Sequence, residues 1–564
     1  QHCIAESHSN RIYSIFIQGA VGTRHDPVSS SGSGAERKGK EHFVCDNRLE
    51  QRIEAIRHKQ KNAAQKEALL SLRKHYDMDT VKDLSGFDRR LVCVPKFCPR
   101  ECPGRQMCRY QRYLEEAKKQ DVFILICNHN YLLADAYHRA EGYKPLLSDY
   151  RTLIVDEAHK LPEAAKQMFG KNLCMDDIRE MVYYLEREHQ KEEARILRTV
   201  MGEALRVVGA EQRIGKGIRE TFRNTTNSVV SLWEGVEMLE FLLEKLERSV
   251  PRWIRNRLEE AKDVLECFCS SDEKYVRYLR LDTEQIPVLC AASREIPGLL
   301  RKMLWDREEG VSAILTSGTL KAGTGFLRTR QTTGLEERTG VQEYVAESPF
   351  SYEKNCLLYL PKTLEHCRRG SREEAVMVAN HIHSLICSTY GHTLVLFTSY
   401  TLMGSVYQIL RDSLPFPMVE VWRHSQEEIL RFKTMENAVL FAAGSCWEGV
   451  DFPGDMVSSL IIVKLPFAVP DPISEAEKET YESLEDYIQA IIVPDMQKKL
   501  RQGFGRAIRT ETDTCVVSIL DFRAVKGGKY HEDVMCALPP CPIAEELGEV
   551  QDFIRSRKGV EYYL

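Results

Sequence analysis

The chain contains no G-x-x-x-x-G-K-S/T phosphate loop, no surplus of positive charge, and no apolar run approaching the roughly 18 residues of a membrane span. Each absence excludes something. Without a span-length run no transmembrane helix is expected. The first 20 residues also lack the apolar core of a secretory signal, so the expected location is cytoplasmic. With a net charge of -5 and a pI near 6.4 there is no global basic field, and any nucleic acid must be held in local grooves. The paired C-x2-C spacing of zinc ribbons and the H-E-x-x-H of zinc hydrolases are missing too, which tells against both classes.

What is present is a chain of 564 residues, 43% hydrophobic and 29% charged, long enough for two to four domains with a sizeable core. Most of its 18 cysteines are scattered through apolar or mixed segments, as Cys267, Cys387 and Cys515 are. They read as small buried hydrophobes rather than as a disulfide framework. Five others crowd one region: Cys45, Cys93, Cys98, Cys102 and Cys108. Residues 1–37 read as an atypical segment, because the Ser/Gly run from Ser29 to Gly34 buries too little to order itself and suits a linker or disorder. From Lys38 onward the texture is globular.

Six short apolar runs end in polar or glycine-rich residues: Val122–Cys127, Leu153–Val155, Ala313–Leu315, Thr393–Phe397, Val439–Ala443 and Leu460–Val463. Such strands, separated by helical stretches, predict an α/β fold built on buried parallel sheets. In that class function gathers beyond the carboxyl ends of the strands, where the polar clusters fall. Residues 165–300 differ, being rich in Glu, Arg, Leu and Met with few strand signals. Leu232, Val236, Leu239, Leu243 and Leu246 make one apolar helix stripe, which predicts a core helix of an inserted helical domain.

Asp156-Glu157 after an apolar strand is what nucleotide hydrolysis needs: one carboxylate to hold Mg²⁺ and its neighbour to polarise the attacking water. His159 is placed to couple that site to a second motor domain. Taken alone, an acidic pair is also a common surface feature. Gln502 to Arg509 sharpens the reading, since Arg506 and Arg509 stand three apart, as on one face of a helical turn, and two guanidinium groups suit a γ-phosphate. Gly503 and Gly505 are unexpected in a merely solvated helix and predict a close backbone approach to a partner or ligand.

These residues resemble the motifs of superfamily 2 helicases of the DinG/XPD type. Asp156-Glu157-Ala158-His159, Ser317-Gly318-Thr319-Leu320, the stretch Gly444–Gly454 and Gln502–Arg509 occur in the order of motifs II, III, V and VI. Ser348-Pro349-Phe350, Phe397-Thr398-Ser399-Tyr400 and Lys464-Leu465-Pro466-Phe467 share the texture, and the likeness runs from about residue 38 to the end. Cys446 stands where the family would lead one to expect an aromatic residue. The resemblance implies two RecA-like motor domains that clamp ATP with Mg²⁺ and step 5′ to 3′ along single-stranded DNA, in DNA repair or replication. It implies catalytic roles for Asp156, Glu157, His159, Gln502, Arg506 and Arg509, with Asp156, Glu157, Gly505, Arg506 and Arg509 at the nucleotide. Glu448 and Asp451 would couple the cleft to DNA, Thr319 would relay between the two, and Ser399 would line the DNA track. The expected partners are single-stranded DNA and DNA junctions, with the chain a monomer and no membrane involved.

By spacing, Cys98-x3-Cys102-x5-Cys108 with Cys45 upstream suits either Zn²⁺ or an iron–sulfur cluster. The resemblance selects a 4Fe–4S cluster on Cys45, Cys98, Cys102 and Cys108, leaving Cys93 as the spare. Arg100, Arg105, Arg109 and Arg112 interleave with Tyr110 and Tyr113, as cations for phosphates and rings for bases would, or as a solvated basic loop would. The implied domains are an iron–sulfur domain at 38–118, motor 1 at 119–164 and 301–335, a helical arch at 165–300, and motor 2 at 336–564. The family's phosphate loop has no counterpart: Gly19-Ala20-Val21-Gly22-Thr23-Arg24 comes nearest and lacks the lysine. The expectation is therefore a truncated or frame-disrupted helicase with impaired ATP hydrolysis, or else a non-catalytic nucleic-acid-binding paralogue.

Overall fold

The computed structural model describes the chain apart from residues 1–12, 18–33, 57–62, 82–83, 96–101, 103, 120–123, 271, 308–310, 323–324, 363, 365, 423–425, 448–449, 451, 453 and 564. Three sheets organise it. The strands in chain order are β1 (Tyr13–Ile17), β2 (Gly34–Arg37), β3 (Ile124–Asn128) and β4 (Thr152–Val155). Next come β5 (Lys171–Leu173), β6 (Glu220–Thr221), β7 (Tyr275–Leu281) and β8 (Pro287–Ser293), followed by β9 (Ser312–Leu315). The last seven are β10 (Cys356–Tyr359), β11 (Thr393–Phe397), β12 (Met418–Val421), β13 (Val439–Ala443), β14 (Ser459–Ile462), β15 (Cys515–Ile519) and β16 (Ile543–Ala544).

The second lobe is a seven-stranded sheet in the order β12-β13-β11-β14-β15-β10-β16, parallel throughout. Its central strands are continuous Val/Ile/Leu/Phe runs because helices cover both faces. The period of two then divides each run between two cores. Leu394, Leu396, Leu440 and Ile462 enter one, while Val395, Phe397, Phe441 and Ile461 enter the other.

The first lobe is a five-stranded sheet in the order β2-β3-β1-β4-β9. β2 runs parallel to β3 and β4 parallel to β9, but β1 lies antiparallel between β3 and β4. Within residues 1–37, Tyr13–Ile17 and Gly34–Arg37 are therefore strands and not linker. Tyr13-Ser14-Ile15-Phe16-Ile17 is aromatic and β-branched enough to take a central strand position, and Gly34 belongs to a strand. The lobe's core joins Leu125, Cys127, Leu153, Val155, Leu300 and Trp305.

Between β4 and β9 stand four long helices, Met175–Arg187, Lys191–Glu211, Thr226–Lys245 and Arg252–Cys269. Leu232, Val236, Leu239 and Leu246 are buried among them, with Leu243 packed at the margin. The region also contains an antiparallel sheet, β5-β8-β7-β6, which the sequence reading missed. β7 carries Arg277 and Arg280 three apart and so on opposite faces, which blurs its alternation, and it turns to β8 through Gln285 in left-handed backbone at φ 64°. No helix among the described residues is long and apolar enough to cross a membrane.

Candidate functional site

The acidic pair leaves β4 at its carboxyl end, beside β9. Glu157 takes left-handed backbone (φ 47°, ψ 43°), which strains a non-glycine residue and needs support on both sides. Three hydrogen bonds supply it. His129 Nε2 donates to the Asp156 carbonyl at 2.9 Å, Glu157 N donates to Asp156 Oδ1 at 2.9 Å, and Ala158 N donates to Thr316 O at 3.1 Å. The turn aims the Glu157 carboxylate at the residues after β9. Ser317 Oγ donates to Glu157 Oε2 at 2.9 Å and accepts from His159 Nδ1 at 2.7 Å, while His159 Nδ1 itself lies 3.2 Å from Glu157 Oε2.

The other ring nitrogen of His159 reaches the second lobe. Gln502 Nε2, on the helix Val493–Phe504, lies 3.0 Å from His159 Nε2 and 3.5 Å from Thr319 Oγ1. An amide N–H can only donate, so His159 Nε2 accepts and Nδ1 carries the ring proton toward Ser317 and Glu157. The acid of one lobe is thus tied to the helix of the other through one imidazole. His159 chiefly, then the Ser317 hydroxyl, pulls the Glu157 carboxyl down from its ordinary 4.5 to about 2, whereas burial pushes Asp156 up. The neighbouring carboxylates therefore differ in proton affinity, Glu157 being the more acidic.

A depressed carboxyl adds stability that is present above pH 4.5 and fades as pH falls through the folded value of about 2. The His159→Ala variant should return the Glu157 titration most of the way to 4.5, read by carboxyl ¹³C shifts against pH. A Glu157 pKa still near 2 in that variant would contradict this assignment of cause.

The arginine pair departs from expectation. The helix ends at Phe504 with Gly505 as its C-cap, so Arg506 and Arg509 lie in the turn beyond and share no helical face. They converge because both guanidinium groups donate to the Val450 carbonyl, Arg509 Nη2 at 3.3 Å. Both guanidinium groups also line the cavity, where an anion would be a strong, charge-assisted partner. Gly503 is required by packing: a Cβ there would lie 2.7 Å from the Trp447 ring. The close approach is to the lobe's own core and not to a ligand. Gly505 meets nothing closer than 3.4 Å.

Asp156, Glu157, His159, Ser317, Thr319, Gln502, Gly505, Arg506 and Arg509 all line one cavity of about 2050 Å³. Ser399 stands apart at the carboxyl end of β11, where its Oγ accepts from Leu402 N at 3.4 Å as a helix N-cap. Glu448 and Asp451 lie outside the described residues.

Three participants escaped the sequence reading. Ser317 joins Glu157 to His159, although only Thr319 of its motif was singled out. His129 is 3% exposed and burial pushes its pKa down to about 4, so it stays neutral beneath the acidic turn. Its signal was the Asn128-His129-Asn130 cluster at the end of β3. Arg501 spans the cleft, with Nη1 donating to Lys321 O at 2.6 Å and Nε to Ala537 O at 3.0 Å.

Among the cysteines, Cys45 and Cys108 border the same small cluster of Phe43, Val94 and Tyr110. Cys93 faces the opposite side, against Val44 and Leu49. Val44 and Cys93 are bridge partners and the backbone alternates there, so Cys45 must point away from Cys93. Cys102 lies in the turn before Arg105, Cys98 is outside the described residues, and no metal-holding group of three appears among those described. Soft, half-buried thiols nonetheless suit an iron–sulfur cluster. The aromatic wedge is corrected: Tyr110 is 4% exposed and both Tyr110 and Tyr113 pack on Phe43, at 5.3 and 4.7 Å. Arg109 is engaged by Asp46 and the Leu72 carbonyl. Arg100 lies outside the described residues, and Arg105 and Arg112 are exposed.

Two α/β lobes facing across a cleft, with carboxylates on one and arginines on the other, define a two-lobed RecA-like fold. Residues 382–541 match the helicase C-terminal domain family. The chain is 28% identical over 491 residues to the ATP-dependent DNA helicase YoaA of Haemophilus influenzae, covering 81% of this chain and 72% of that relative. It is 33% identical over 270 residues to the ATP-dependent DNA helicase DinG of Photobacterium profundum, covering 46% of this chain and 38% of that one. A solved structure titled XPD helicase superposes at a TM-score of 0.52 and 16% identity, over 92% of this chain and 88% of that one, a likeness of fold. In sequence the chain is thus similar to DNA helicases named YoaA and DinG, and in fold to an XPD helicase.

Proposed function

We propose that the protein is an ATP-dependent DNA helicase that moves 5′ to 3′ on single-stranded DNA in DNA repair or replication. The observation that carries this is the cross-lobe network from Glu157 through His159 to Gln502, at 3.2 and 3.0 Å. A change at the nucleotide there alters how the lobes meet, which is what stepping requires. Asp156 would hold Mg²⁺ and Glu157 would orient the attacking water, with Gly505, Arg506 and Arg509 at the phosphates and Gln502 reporting their state. Thr319, Glu448 and Asp451 would couple that site to DNA, and Ser399 would touch the strand. Residues 38–118 would form the iron–sulfur domain, 165–300 the arch, and 119–164 with 301–335 and 336–564 the two motors of a cytoplasmic monomer acting at single strands and junctions.

No complete G-x-x-x-x-G-K-S/T phosphate loop stands in the given sequence. Losing even one preorganised donor to the transferring charge costs about 10²–10³ in rate, so hydrolysis by this chain alone is impaired. That same absence favours a second reading, a DNA-binding helicase paralogue without turnover. Cys45, Cys98, Cys102 and Cys108 would hold a 4Fe–4S cluster, which supplies a rigid cross-link and a redox-active centre when bound.

The anaerobically purified chain should carry about four irons per molecule and a broad visible absorption, both lost on Cys108→Ser and kept in Cys93→Ser. It should bind an oligothymidine strand more tightly than the matching duplex. A colourless zinc protein, or one indifferent to DNA, would count against these assignments.

A further inference from the structure

Three cysteines stand side by side at one edge of the second lobe's sheet. Cys356 on β10 pairs in register with Cys515 on β15, and Leu358 pairs with Ile543 on β16. Two residues back along both strands, the same parallel register sets Cys541 beside Cys356. Alternation puts all three on one face. Cys356 and Cys515 are buried in the core that also holds Leu358 and Leu360, and Cys541 packs against that core, half-buried. Pro540 and Pro542 flank Cys541 and stiffen its backbone. The Pro542 carbonyl accepts from Leu358 N at 2.9 Å, which ties the segment to β10 at this point.

The three thiols differ in chemistry. Burial pushes Cys515 up to about 12, so it stays an inert thiol and a small core hydrophobe. Cys356 donates its S–H to the Cys541 sulfur. That hydrogen bond, more than burial, holds Cys356 well above the ordinary thiol range and draws Cys541 below it. A half-buried, thiolate-prone sulfur in contact with a buried thiol is a nucleophile beside its resolving partner. Adjacent strands lie about 4.7–4.9 Å apart, within the Cα separation of about 4.4–6.8 Å that a disulfide spans. The segment that ends at Cys541 is also a wall of the cleft between the lobes. Cys536, Ala537, Leu538, Pro539 and Pro540 line the cavity, and Ala537 O accepts from Arg501 Nε at 3.0 Å. Arg501 in turn reaches Lys321 O of the first lobe at 2.6 Å.

We propose that Cys541 and Cys356 are a thiol modification site that hydrogen peroxide closes into a reversible disulfide, pinning the 536–541 wall of the cleft to β10. The Cys541 thiolate attacks one peroxide oxygen, the O–O bond breaks, and the departing hydroxide takes a proton to leave as water, which makes Cys541 a sulfenic acid. The Cys356 sulfur then attacks the Cys541 sulfur. The S–S bond forms, the S–O bond breaks, and the Cys356 proton leaves with the hydroxide as a second water. Two thiols are oxidised and one peroxide is reduced to two waters, and a small dithiol reverses the bond by exchange. The reduced 564-residue chain is given one equivalent of hydrogen peroxide without air, its remaining thiols are alkylated, and its peptides are mapped by mass spectrometry. A linked Cys356–Cys541 peptide that dithiothreitol removes should form about tenfold or more faster than the exposed Cys387 is oxidised. Cys356→Ala should leave Cys541 as a sulfenic acid that dimedone traps, and Cys541→Ala should leave Cys356 a free thiol. Hydrogen exchange over residues 536–541 should slow by about tenfold in the linked form. Cys541 still open to alkylation once Cys387 is oxidised, linkage of Cys356 to Cys515 or of Cys541 to Cys536, or a linked form with unchanged exchange would overturn the proposal. Each of these is read on the unaltered chain, so a variant that fails to fold does not weaken the test.

Discussion

Replacing Trp447 by alanine is expected to loosen the second lobe by about 3–5 kcal/mol. The indole is 1% exposed, and its Nε1 donates to the Phe397 carbonyl at 3.0 Å. Gly503 presses on its ring so closely that a Cβ would lie 2.7 Å away. The substitution leaves a cavity and strips a buried carbonyl of its donor, and these costs add. It also removes the support on which the helix carrying Gln502 rests. The opening free energy of the β11, β13 and β14 amides, from native-state hydrogen exchange, should fall by that amount. Unchanged protection would mean that Trp447 does not hold the helix to the sheet. Gly503→Ala attacks the same contact from the other side and should cost about 1–3 kcal/mol by overpacking.

Asp177→Ala is expected to loosen the joint between residues 86–92 and the helical insertion. Asp177 Oδ1 accepts from Arg90 and, at 3.2 Å, from Arg257, while Oδ2 accepts from Cys174 N at 2.9 Å. One carboxylate therefore joins the helix Gly86–Val92 to Arg252–Cys269 and caps Met175–Arg187. Removal leaves Arg257 with Glu180 and Glu260 and Arg90 with Asp176 and Glu180 at 4.0 Å, and with both arginines about a third exposed the loss should be about 1–2 kcal/mol. The hydrogen bond from Tyr184 Oη to Leu91 O at 2.7 Å and the stacking of Arg48 on Tyr184 and Trp253 remain, so the joint should loosen without separating. Limited proteolysis should cut near residues 86–92 faster in the variant, with the motor lobes unchanged. Equal rates would place the joint elsewhere.

The parts of the fold legible in the sequence were those whose burial is one-sided in chemistry. Thr393–Phe397 and Val439–Ala443 are strands at the bounds their apolar runs imply, because a parallel strand covered on both faces can hold little else. β7 was illegible because Arg277 and Arg280 interrupt its apolar run. Tyr13–Ile17 was overshadowed by the Ser/Gly run that follows it. At the site, residue type marked Glu157 and His159, but not the link between them. Ser317 lies 160 residues beyond Glu157, and no local pattern records a hydrogen bond across that separation. Spacing also misled: Arg506 and Arg509 converge through the Val450 carbonyl after the helix has ended. Tyr110 and Tyr113 read as exposed rings and are packed on Phe43.

Glu157, His159 and Gln502 join the two lobes, while no complete G-x-x-x-x-G-K-S/T loop stands in the given sequence. Single-turnover hydrolysis of γ-labelled ATP by the 564-residue chain, with Mg²⁺ and saturating single-stranded DNA, tests that combination most directly. The expected result is little or no phosphate release above a Glu157→Gln control. Robust DNA-stimulated release that Glu157→Gln abolishes would contradict it, and would mean that the cleft around Glu157, Gln502 and Arg506 holds the phosphates without the missing loop.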